Sequence, residues 1–541
     1  STLPKMNFCG AFLFLASLSQ ALAGDDLLLI ETDLGKVQGH IAPRGVREWN
    51  GIPYAKPPVG ELRWEYPQSP EPSNEVYQAT FNAPGCSQTC NLPPGNCPTN
   101  GISEDCLYLS VWAPPKPSAD PKGYPVLFWI HGGAFEQGLG DCALYNGTNF
   151  ATKDVVSVVI NYRLGAFGFM ASESMQGNYG FMDQRLAMEW TQRNIAAFGG
   201  NPEEVTIAGQ SAGGMSVGAH LSAPKSKGLF KQGIQESNPL ALPFHYRDTA
   251  TDNANAMMDY CGCDVDDVAC MKEKPMAEIL EAQNAAPKLN LENLFINFLP
   301  WSPLVEENGE IPRQPLYALQ DGEVTQVPLM GGSMRDEGQL FVYELFTKPI
   351  LEKEYDALVK VIFGRQHSDE ILEKYPFDCV EGTHDGRQAL NVLGTDLLFY
   401  CPLRNVTRSY QQNLGVTALP TYLYRFTHVM SFDCWGPDYE FCVGWVCHAS
   451  ELPFVFNVFE ADDLVYYPTD DELTLSEDMA NYWSNFLTNG DPNKGLPVPT
   501  TFPKYNGKQD TILEFEEPGV APQSGYRDSY CDMWDKLGYF Y

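Results

Sequence analysis

Residues 205–213 read VTIAGQSAG, and this stretch decides the fold. Its apolar and β-branched start predicts a short buried strand, and the small residues that follow are typical of a helix start. The G-x-S-x-G pattern is characteristic of a sharp strand-to-helix turn that exposes a nucleophilic serine, here Ser211. A bare motif of this kind also arises by chance, as a glycine-rich turn with an idle serine. Its position between strand and helix favours the nucleophile.

Segments on both sides of this stretch predict an α/β fold. The strand candidates are short, mostly apolar runs at residues 126–130, 155–160, 205–208, 327–330 and 422–426, of which the first three are rich in β-branched residues. The helix candidates, with apolar residues at helical spacing, are residues 183–197 and 473–487. Short buried strands that alternate with helices are typical of a parallel sheet. We therefore expect a large, mostly parallel central sheet flanked by helices, with residues 24–541 in a single domain.

A second glycine-rich segment precedes the serine motif. Residues 128–135, FWIHGGAF, predict a strand that runs into a loop. Backbone N–H groups of such a loop can stabilise a carbonyl oxygen that becomes negatively charged in a transition state. Alone this segment could be an ordinary turn, but its order and distance before the serine motif make the pair specific.

A short apolar stretch near the N-terminus is typical of a secretory signal. Residues 10–18 are mostly apolar, and the sequence ALA at residues 21–23 supplies a small-residue cleavage pattern. We predict a signal peptide at residues 1–23, in which residues 1–5 are a possible upstream extension, and a secreted, extracellular protein. No later run reaches the roughly 20 apolar residues that a membrane-spanning helix needs.

Cysteine usage agrees with an oxidising compartment. The fifteen cysteines fall to fourteen if Cys9 leaves with the signal, and an even number suits disulfides. Their spacing fits no common zinc-ligand pattern, so we predict no metal site. The tripeptides that begin at Asn146 and Asn405 are N-x-T sequons, which makes both asparagines candidate N-glycosylation sites.

Further motifs resemble the type-B carboxylesterase and cholinesterase family. They read GIPYAKPPVG, EDCLYL, NYRLG, GNYGFMDQ and NIAAFGG, and begin at residues 51, 104, 161, 177 and 194. The resemblance covers nearly the whole mature chain. It implies an α/β-hydrolase fold and an enzyme that hydrolyses carboxylic esters.

The resemblance also implies the partners of Ser211. His448, in the segment GWVCHASELP, is similar to the family's catalytic histidine, although a lone histidine is more often structural. Glu337, in the segment RDEG, matches the family's catalytic acid, with the neighbouring Asp336 as its rival. The chain order of serine, glutamate and histidine fits this fold.

By the same resemblance, the oxyanion donors are the backbone N–H groups of Gly133, Ala134 and Ala212. Such a site cleaves a small-molecule ester through an acyl-enzyme intermediate and needs no metal or cofactor. The formal net charge of −34 repels nucleic acid and anionic membranes, although it can also simply keep a protein soluble. We therefore expect no nucleic-acid partner and no stable membrane insertion, and the oligomeric state stays open.

Structural pairs follow from the resemblance as well. The disulfides that it implies are Cys86–Cys106, Cys401–Cys531, and Cys270 with either Cys261 or Cys263. The buried ion pairs that it implies are Arg63–Glu104 and Arg163–Asp183.

Several residues depart from the family pattern. Asn96 stands where cholinesterases carry a tryptophan that binds a quaternary ammonium group, which disfavours choline esters. The first disulfide loop, which runs from Cys86 to Cys106, is short and polar, and this disfavours an interfacial lipase lid. Gln210 replaces the usual glutamate before the serine, as in juvenile hormone esterases, and Ala134 replaces the third glycine of the oxyanion loop. Residues 235–238, QESN, replace the usual QSG.

The leading interpretation is a carboxylesterase that acts on small or medium esters. One alternative is a lipase or a juvenile-hormone-esterase-like hydrolase. Another, from a different class, is a non-catalytic adhesion or binding protein. Such relatives usually lose the nucleophile, whereas Ser211, Glu337 and His448 are all present here.

Overall fold

The segment VTIAGQ forms the second half of the strand Gly200–Gln210, which lies near the centre of a large sheet in this computed structural model. The structure describes residues 27–285, 294–380, 382–414, 419–461, 464–516 and 519–540. The predicted signal peptide at residues 1–23 lies outside the described residues. In the described part of the chain, no helix has both the length and the apolar character needed to cross a membrane.

The elements are numbered in chain order. The strands are β1 Leu29–Thr32, β2 Gly35–Gln38, β3 His40–Ile41, β4 Arg47–Pro53, β5 Tyr77–Gln78, β6 Gly85–Cys86, β7 Ile102–Ser103, β8 Tyr108–Ala113, β9 Tyr124–Ile130, β10 Val156–Ile160, β11 Gly200–Gln210, β12 Gln232–Glu236, β13 Leu329–Met334, β14 Thr421–Phe426, β15 Glu460–Ala461, β16 Leu464–Val465, β17 Thr511–Glu516 and β18 Gly519–Ser524. The α-helices are α1 Thr148–Thr152, α2 Gly165–Phe169, α3 Tyr179–Asn194, α4 Ala212–Ser222, α5 Arg247–Tyr260, α6 Val268–Glu273, α7 Met276–Ala285, α8 Leu294–Asn297, α9 Pro315–Asp321, α10 Glu337–Leu345, α11 Glu352–Phe363, α12 Arg365–Lys374, α13 Gly386–Gly394, α14 Cys401–Leu414, α15 Leu452–Phe456, α16 Asp470–Asn489 and α17 Asp528–Leu537. A π-helix covers Thr395–Tyr400, and the short 3-10 helices are Pro43–Gly45, Gly60–Leu62, Ala143–Tyr145, Ile195–Phe198, Pro224–Ser226 and Pro437–Cys442.

Among the described residues, the main sheet has 11 strands in the order β18-β17-β14-β13-β12-β11-β9-β10-β8-β4-β3. Every neighbouring pair from β17 to β10 is parallel. The antiparallel pairs lie at the two edges. The sheet is therefore mostly parallel, as predicted.

Both faces of the sheet are buried, which is why its strands read as continuous apolar runs. In β9, Val126, Phe128 and Ile130 belong to the core that also contains residues of α3 and α4. The alternate residues Leu127 and Trp129 belong to a second core, which contains residues of α16. Helices thus cover both sides of the sheet.

The predicted strands and helices are present, and most differences lie at their ends. The prediction at 327–330 begins two residues early and stops four residues short of the end of β13, at Met334. Pro328 has no N–H group to pair with a neighbouring strand. The rest of the strand was not predicted because Gly331 and Gly332 carry no apolar side chain. A Cβ atom on Gly332 would lie 2.3 Å from the Tyr424 ring, so close packing with β14 requires glycine there.

Both ion pairs implied by the resemblance are present. Arg163 Nη2 lies 2.7 Å from Asp183 Oδ1, and both side chains are buried. Arg63 Nη2 lies 2.5 Å from Glu104 Oε1. These pairs anchor the loops after β10 and before β8.

Five disulfides join cysteines in the described part of the chain. They are Cys86–Cys106, Cys90–Cys97, Cys263–Cys270, Cys401–Cys531 and Cys442–Cys447. Of the two alternatives for Cys270, the structure has Cys263 as its partner. The described cysteines with free thiols are Cys142, Cys261, Cys379 and Cys434.

Candidate active site

Ser211 occupies a strained turn between β11 and α4. Its φ of 59° and ψ of −125° are rare for a residue with a side chain. A Cβ atom on Gly213 would lie 2.0 Å from Ile130 O, and one on Gly209 would lie 2.5 Å from the carbonyl carbon of Gly213. A side chain on either glycine of the motif would therefore clash with the neighbouring backbone. The turn presents Ser211 at the carboxyl end of the parallel strands, beside the loop that follows β9.

The loop after β9 contains the predicted oxyanion donors. Gly133 has a φ of 101°, and a Cβ atom there would lie 2.0 Å from Gln137 O. Ala134 has a φ of 57°, a conformation that costs roughly 1–2 kcal/mol for a residue other than glycine. The N–H groups of Gly133 and Ala134 have no hydrogen-bond acceptor among the described residues. Ala212 begins α4, where N–H groups are free of helical partners.

The predicted acid and base contact each other directly. Glu337 Oε2 lies 2.5 Å from His448 Nδ1, and both side chains are buried. The other oxygen, Glu337 Oε1, accepts a hydrogen bond of 2.8 Å from the N–H of Met334. The carboxylate therefore lies at a fixed point between the end of β13 and the start of α10. The rings of Phe341 and Phe399 flank the imidazole, with centroids 5.0 and 5.2 Å away.

Two other residues near the site, Asp336 and His131, make contacts of a different kind. Asp336 Oδ2 accepts a hydrogen bond of 3.0 Å from the N–H of Val446 and pairs with Arg335. It therefore fixes the segment before the histidine. His131 contacts the carbonyl of Gly132, and burial lowers the pKa of its imidazole to about 4. It stays neutral and structural.

Ser211 and His448 line the same cavity, but no hydrogen bond joins their side chains among the described residues. His448 Nε2 lies instead 3.1 Å from Gln210 Nε2. The structure thus brings Glu337 and His448 into contact and Ser211 beside them. Gln210 is thus a fourth side chain at the site, next to Ser211, His448 and Glu337. The one sequence signal for its involvement is that it replaces the family's usual glutamate.

The cavity has a volume of about 300 Å³ and a largely apolar wall. The aromatic residues that line it are Tyr145, Phe298, Phe341, Trp435, Tyr439 and Tyr466. Sequence reasoning missed all of them because they lie in loops and helices far apart in the chain. Among the described lining residues there is no lysine or arginine, and Glu344 lies at the exposed rim.

The first disulfide loop forms one side of the cavity. Asn96, the predicted counterpart of the cholinesterase tryptophan, lines it together with Leu92 and Pro93. The unpredicted disulfide Cys90–Cys97 lies within this loop. Two disulfides and two adjacent prolines therefore constrain the segment, which is unlike a mobile apolar lid.

A larger cavity, of about 900 Å³, contains none of the predicted catalytic residues. Asn146 borders it, and Asn146 Oδ1 accepts a hydrogen bond from the N–H of Thr148. The second sequon asparagine, Asn405, lies in α14. Its amide nitrogen donates to Asp535 Oδ1 over 2.8 Å, so the atom that would carry a glycan is already bonded.

Two further carboxyl groups, with no exposed surface, lie near the predicted catalytic acid. Burial raises the pKa of Glu236 to about 8, although Trp483 Nε1 donates to it over 2.7 Å. Burial, together with the nearby Glu236 and Glu337, raises the pKa of Glu451 well above its ordinary value. The Glu236 carbonyl also accepts a hydrogen bond of 3.0 Å from the N–H of Ser211. The carboxyl groups of Glu236 and Glu451 are therefore protonated at neutral pH.

Glu236→Gln should remove one source of pH dependence from stability. The carboxyl of Glu236 is protonated in the folded chain and ionised in the unfolded chain between its unfolded pKa, near 4.5, and about 8. Its contribution to stability is therefore fully present below 4.5 and falls steadily as the pH rises from there to about 8. The melting temperature of the variant, relative to wild type, should rise steadily from pH 5 to pH 8. The exposed control Glu352→Gln should show no such trend, and a pH-independent difference for Glu236→Gln would contradict this assignment.

Taken together, the mostly parallel sheet, the serine turn and the adjoining cavity define an α/β-hydrolase. The model of the Carboxylesterase family matches residues 26–534, and the chain belongs to this family. It is a carboxylic-ester hydrolase, as the sequence motifs predicted.

Individual relatives match this chain over most of its length. The chain is 38% identical over 514 residues to the cAMP-regulated D2 protein of Dictyostelium discoideum, and the match covers 95% of this chain and 94% of the relative. It is 34% identical over 473 residues to para-nitrobenzyl esterase of Bacillus subtilis, with 86% and 90% covered. A solved PNB esterase structure is similar with a TM-score of 0.76 at 31% identity, and covers 93% of this chain and 99% of that one.

Proposed function

We propose that this chain is a secreted serine carboxylesterase in which Ser211, His448 and Glu337 form the catalytic triad. The contact between Glu337 and His448, in the wall of a cavity that also contains Ser211, is the observation that carries the proposal. A carboxylate on one ring nitrogen and a serine beside the other is the arrangement that activates a weak nucleophile.

The proposed mechanism follows from the hydrogen bonds. Because Glu337 accepts from His448 Nδ1, the neutral imidazole has a lone pair on Nε2 and can take the Ser211 proton there. The serine oxygen then bonds to the ester carbonyl carbon, and Glu337 stabilises the imidazolium. The tetrahedral intermediate collapses when the C–O bond to the alcohol breaks and Nε2 returns its proton to the leaving oxygen. Water, activated by the same histidine, hydrolyses the acyl-enzyme.

The N–H groups of Gly133, Ala134 and Ala212, which have no acceptor among the described residues, are suited to the negative charge on the carbonyl oxygen. Each such donor typically lowers the barrier by roughly 3–4 kcal/mol. Since Ala134 is held in a left-handed conformation by the loop, its N–H is oriented before substrate arrives. Preorganised donors of this kind need no rearrangement during the reaction.

The cavity supports small or medium, largely apolar esters as substrates. A volume of about 300 Å³ and an aromatic wall suit a compact acyl or alcohol group. The doubly cross-linked first loop gives no support to interfacial activation, so the lipase alternative is the weaker one. The presence of all three triad residues weighs against a purely adhesive role.

We further propose that residues 24–541 form a single secreted domain. One apolar core that includes Leu28 and Tyr539 supports a single domain. Five disulfides support synthesis in an oxidising compartment. Of the two proposed glycan acceptors, Asn146 is the better supported. Its side-chain nitrogen has no protein partner among the described residues, whereas that of Asn405 donates to Asp535.

Labelling with a fluorophosphonate tests the proposed nucleophile. We expect one covalent adduct per chain, located by peptide mapping on Ser211, with loss of p-nitrophenyl ester hydrolysis in proportion to labelling. A chain-length series of nitrophenyl esters should give the highest kcat/KM for short or medium acyl groups, without a jump in rate above substrate solubility. An active enzyme that carries no adduct on Ser211 would overturn the proposal.

A further inference from the structure

Gln210 lies between the histidine of the proposed triad and the oxyanion loop. The side chain is buried, at 3% exposure, and its amide nitrogen lies 3.1 Å from His448 Nε2. Its amide oxygen lies against the loop, since a Cβ atom built on Gly132 would be 3.1 Å from it. The backbone is fixed as well, because Gln210 pairs with Glu236 at the end of the parallel ladder. This side chain is therefore held in place at both ends.

The protons in this contact can be assigned from its chemistry. The Glu337 carboxylate can only accept, so His448 Nδ1 carries a proton, and Nε2 of the neutral ring is an acceptor. An amide nitrogen can only donate, so Gln210 donates to Nε2. In the resting enzyme, the atom that must receive the serine proton is thus occupied by an amide N–H.

The charged groups around His448 favour the protonated, cationic form of its ring. Glu337 and Glu344 face it from α10, whereas the nearby Glu451 and Glu236 are protonated and add no charge. The π-helix contributes only the ring of Phe399. Among the described residues that line the cavity there is no cation to offset these acids. Nearby negative charge stabilises imidazolium, which cannot act as a base.

We propose that Gln210 is a positioning residue that, by donating to His448 Nε2, keeps the general base neutral and sets the lower pH limit of ester hydrolysis. The inference rests on the proposed triad. A donor amide and a protonated Nε2 repel each other, so Gln210 opposes the effect of the surrounding carboxylates. A glutamate at this position would lack the donor and would stabilise imidazolium in the resting enzyme.

Gln210→Glu tests the inference because it changes the charge and the donor but not the size. With p-nitrophenyl acetate, a neutral substrate, the acidic limb of the kcat/KM profile should move to higher pH by about 1–2 units. Gln210→Met, which removes the donor without adding charge, should move it in the same direction by roughly half a unit or more. Glu352→Gln, an exposed change of one charge on α11, should leave the limb in place.

The rate of fluorophosphonate labelling at Ser211 against pH gives a second readout of the same base. It should show the same shifts, and it applies even to a variant with little turnover. Unchanged acidic limbs in both Gln210 variants, by turnover and by labelling, would overturn the inference and leave the triad intact. Failure of the triad itself would look different, because wild-type enzyme would then be active without an adduct on Ser211.

Discussion

Ser211→Ala is expected to lower kcat for p-nitrophenyl acetate by roughly six orders of magnitude. The variant keeps the cavity and the oxyanion donors but has no oxygen to form the acyl-enzyme, so only their residual catalysis remains. Alanine fits the site sterically, since it keeps the Cβ atom of serine and only removes the hydroxyl. Steady-state rates, with active-site titration to exclude wild-type contamination, measure the loss.

The double variant Ser211→Ala with His448→Ala should be no slower than Ser211→Ala alone, because residues that act as one unit are not additive. Ser222→Ala is a matched control on the same helix. Its hydroxyl donates to Ala219 O within α4, and turnover should stay near wild type. Activity of Ser211→Ala above about one per cent of wild type would show that another nucleophile operates.

Glu337→Gln is expected to lower kcat by roughly four orders of magnitude while the fold is retained. A glutamine amide can donate to His448 Nδ1, which moves the ring proton to Nε2 and removes the base. The carboxylate that would stabilise imidazolium is also lost. The measurement is kcat for a nitrophenyl ester across pH, together with the melting temperature.

Asp336→Asn provides the matched comparison, since this neighbouring carboxylate contacts Val446 and Arg335 and not the imidazole. We expect at most a tenfold loss of kcat, mainly through looser placement of the segment before His448. If Asp336→Asn were the more damaging change, the assignment of the acid would be reversed.

The part of the fold that could be predicted from sequence is the part specified by local patterns. Apolar runs rich in β-branched residues gave β9, β10 and β11, and the largely aromatic run at residues 422–426 gave β14, because these strands are buried on both faces. The serine turn was recognisable because its glycines are imposed by the backbone around them: a Cβ atom on Gly213 or Gly209 would lie 2.0 or 2.5 Å from a neighbouring backbone atom. The end of β13 was not recognisable, because glycines chosen for packing carry no strand signal.

The candidate site was predictable only where a motif or a family resemblance named a residue. Glu337 and His448 are 111 residues apart, and spacing alone could not have paired them. The aromatic wall and the contact between Gln210 and His448 depend on how separate loops meet above the sheet. Such contacts leave no periodicity in the sequence, so they had to come from the structure.

The Cys442–Cys447 disulfide has a consequence for how the enzyme can be made. It closes a small ring that ends one residue before His448, whereas Ser211 is held by the sheet and needs no cross-link. A chain synthesised in a reducing cytosol would keep the serine turn but lose the covalent anchor of its base. Because the other four disulfides would be absent as well, we expect such a chain to be both less active and less stable than the oxidised enzyme.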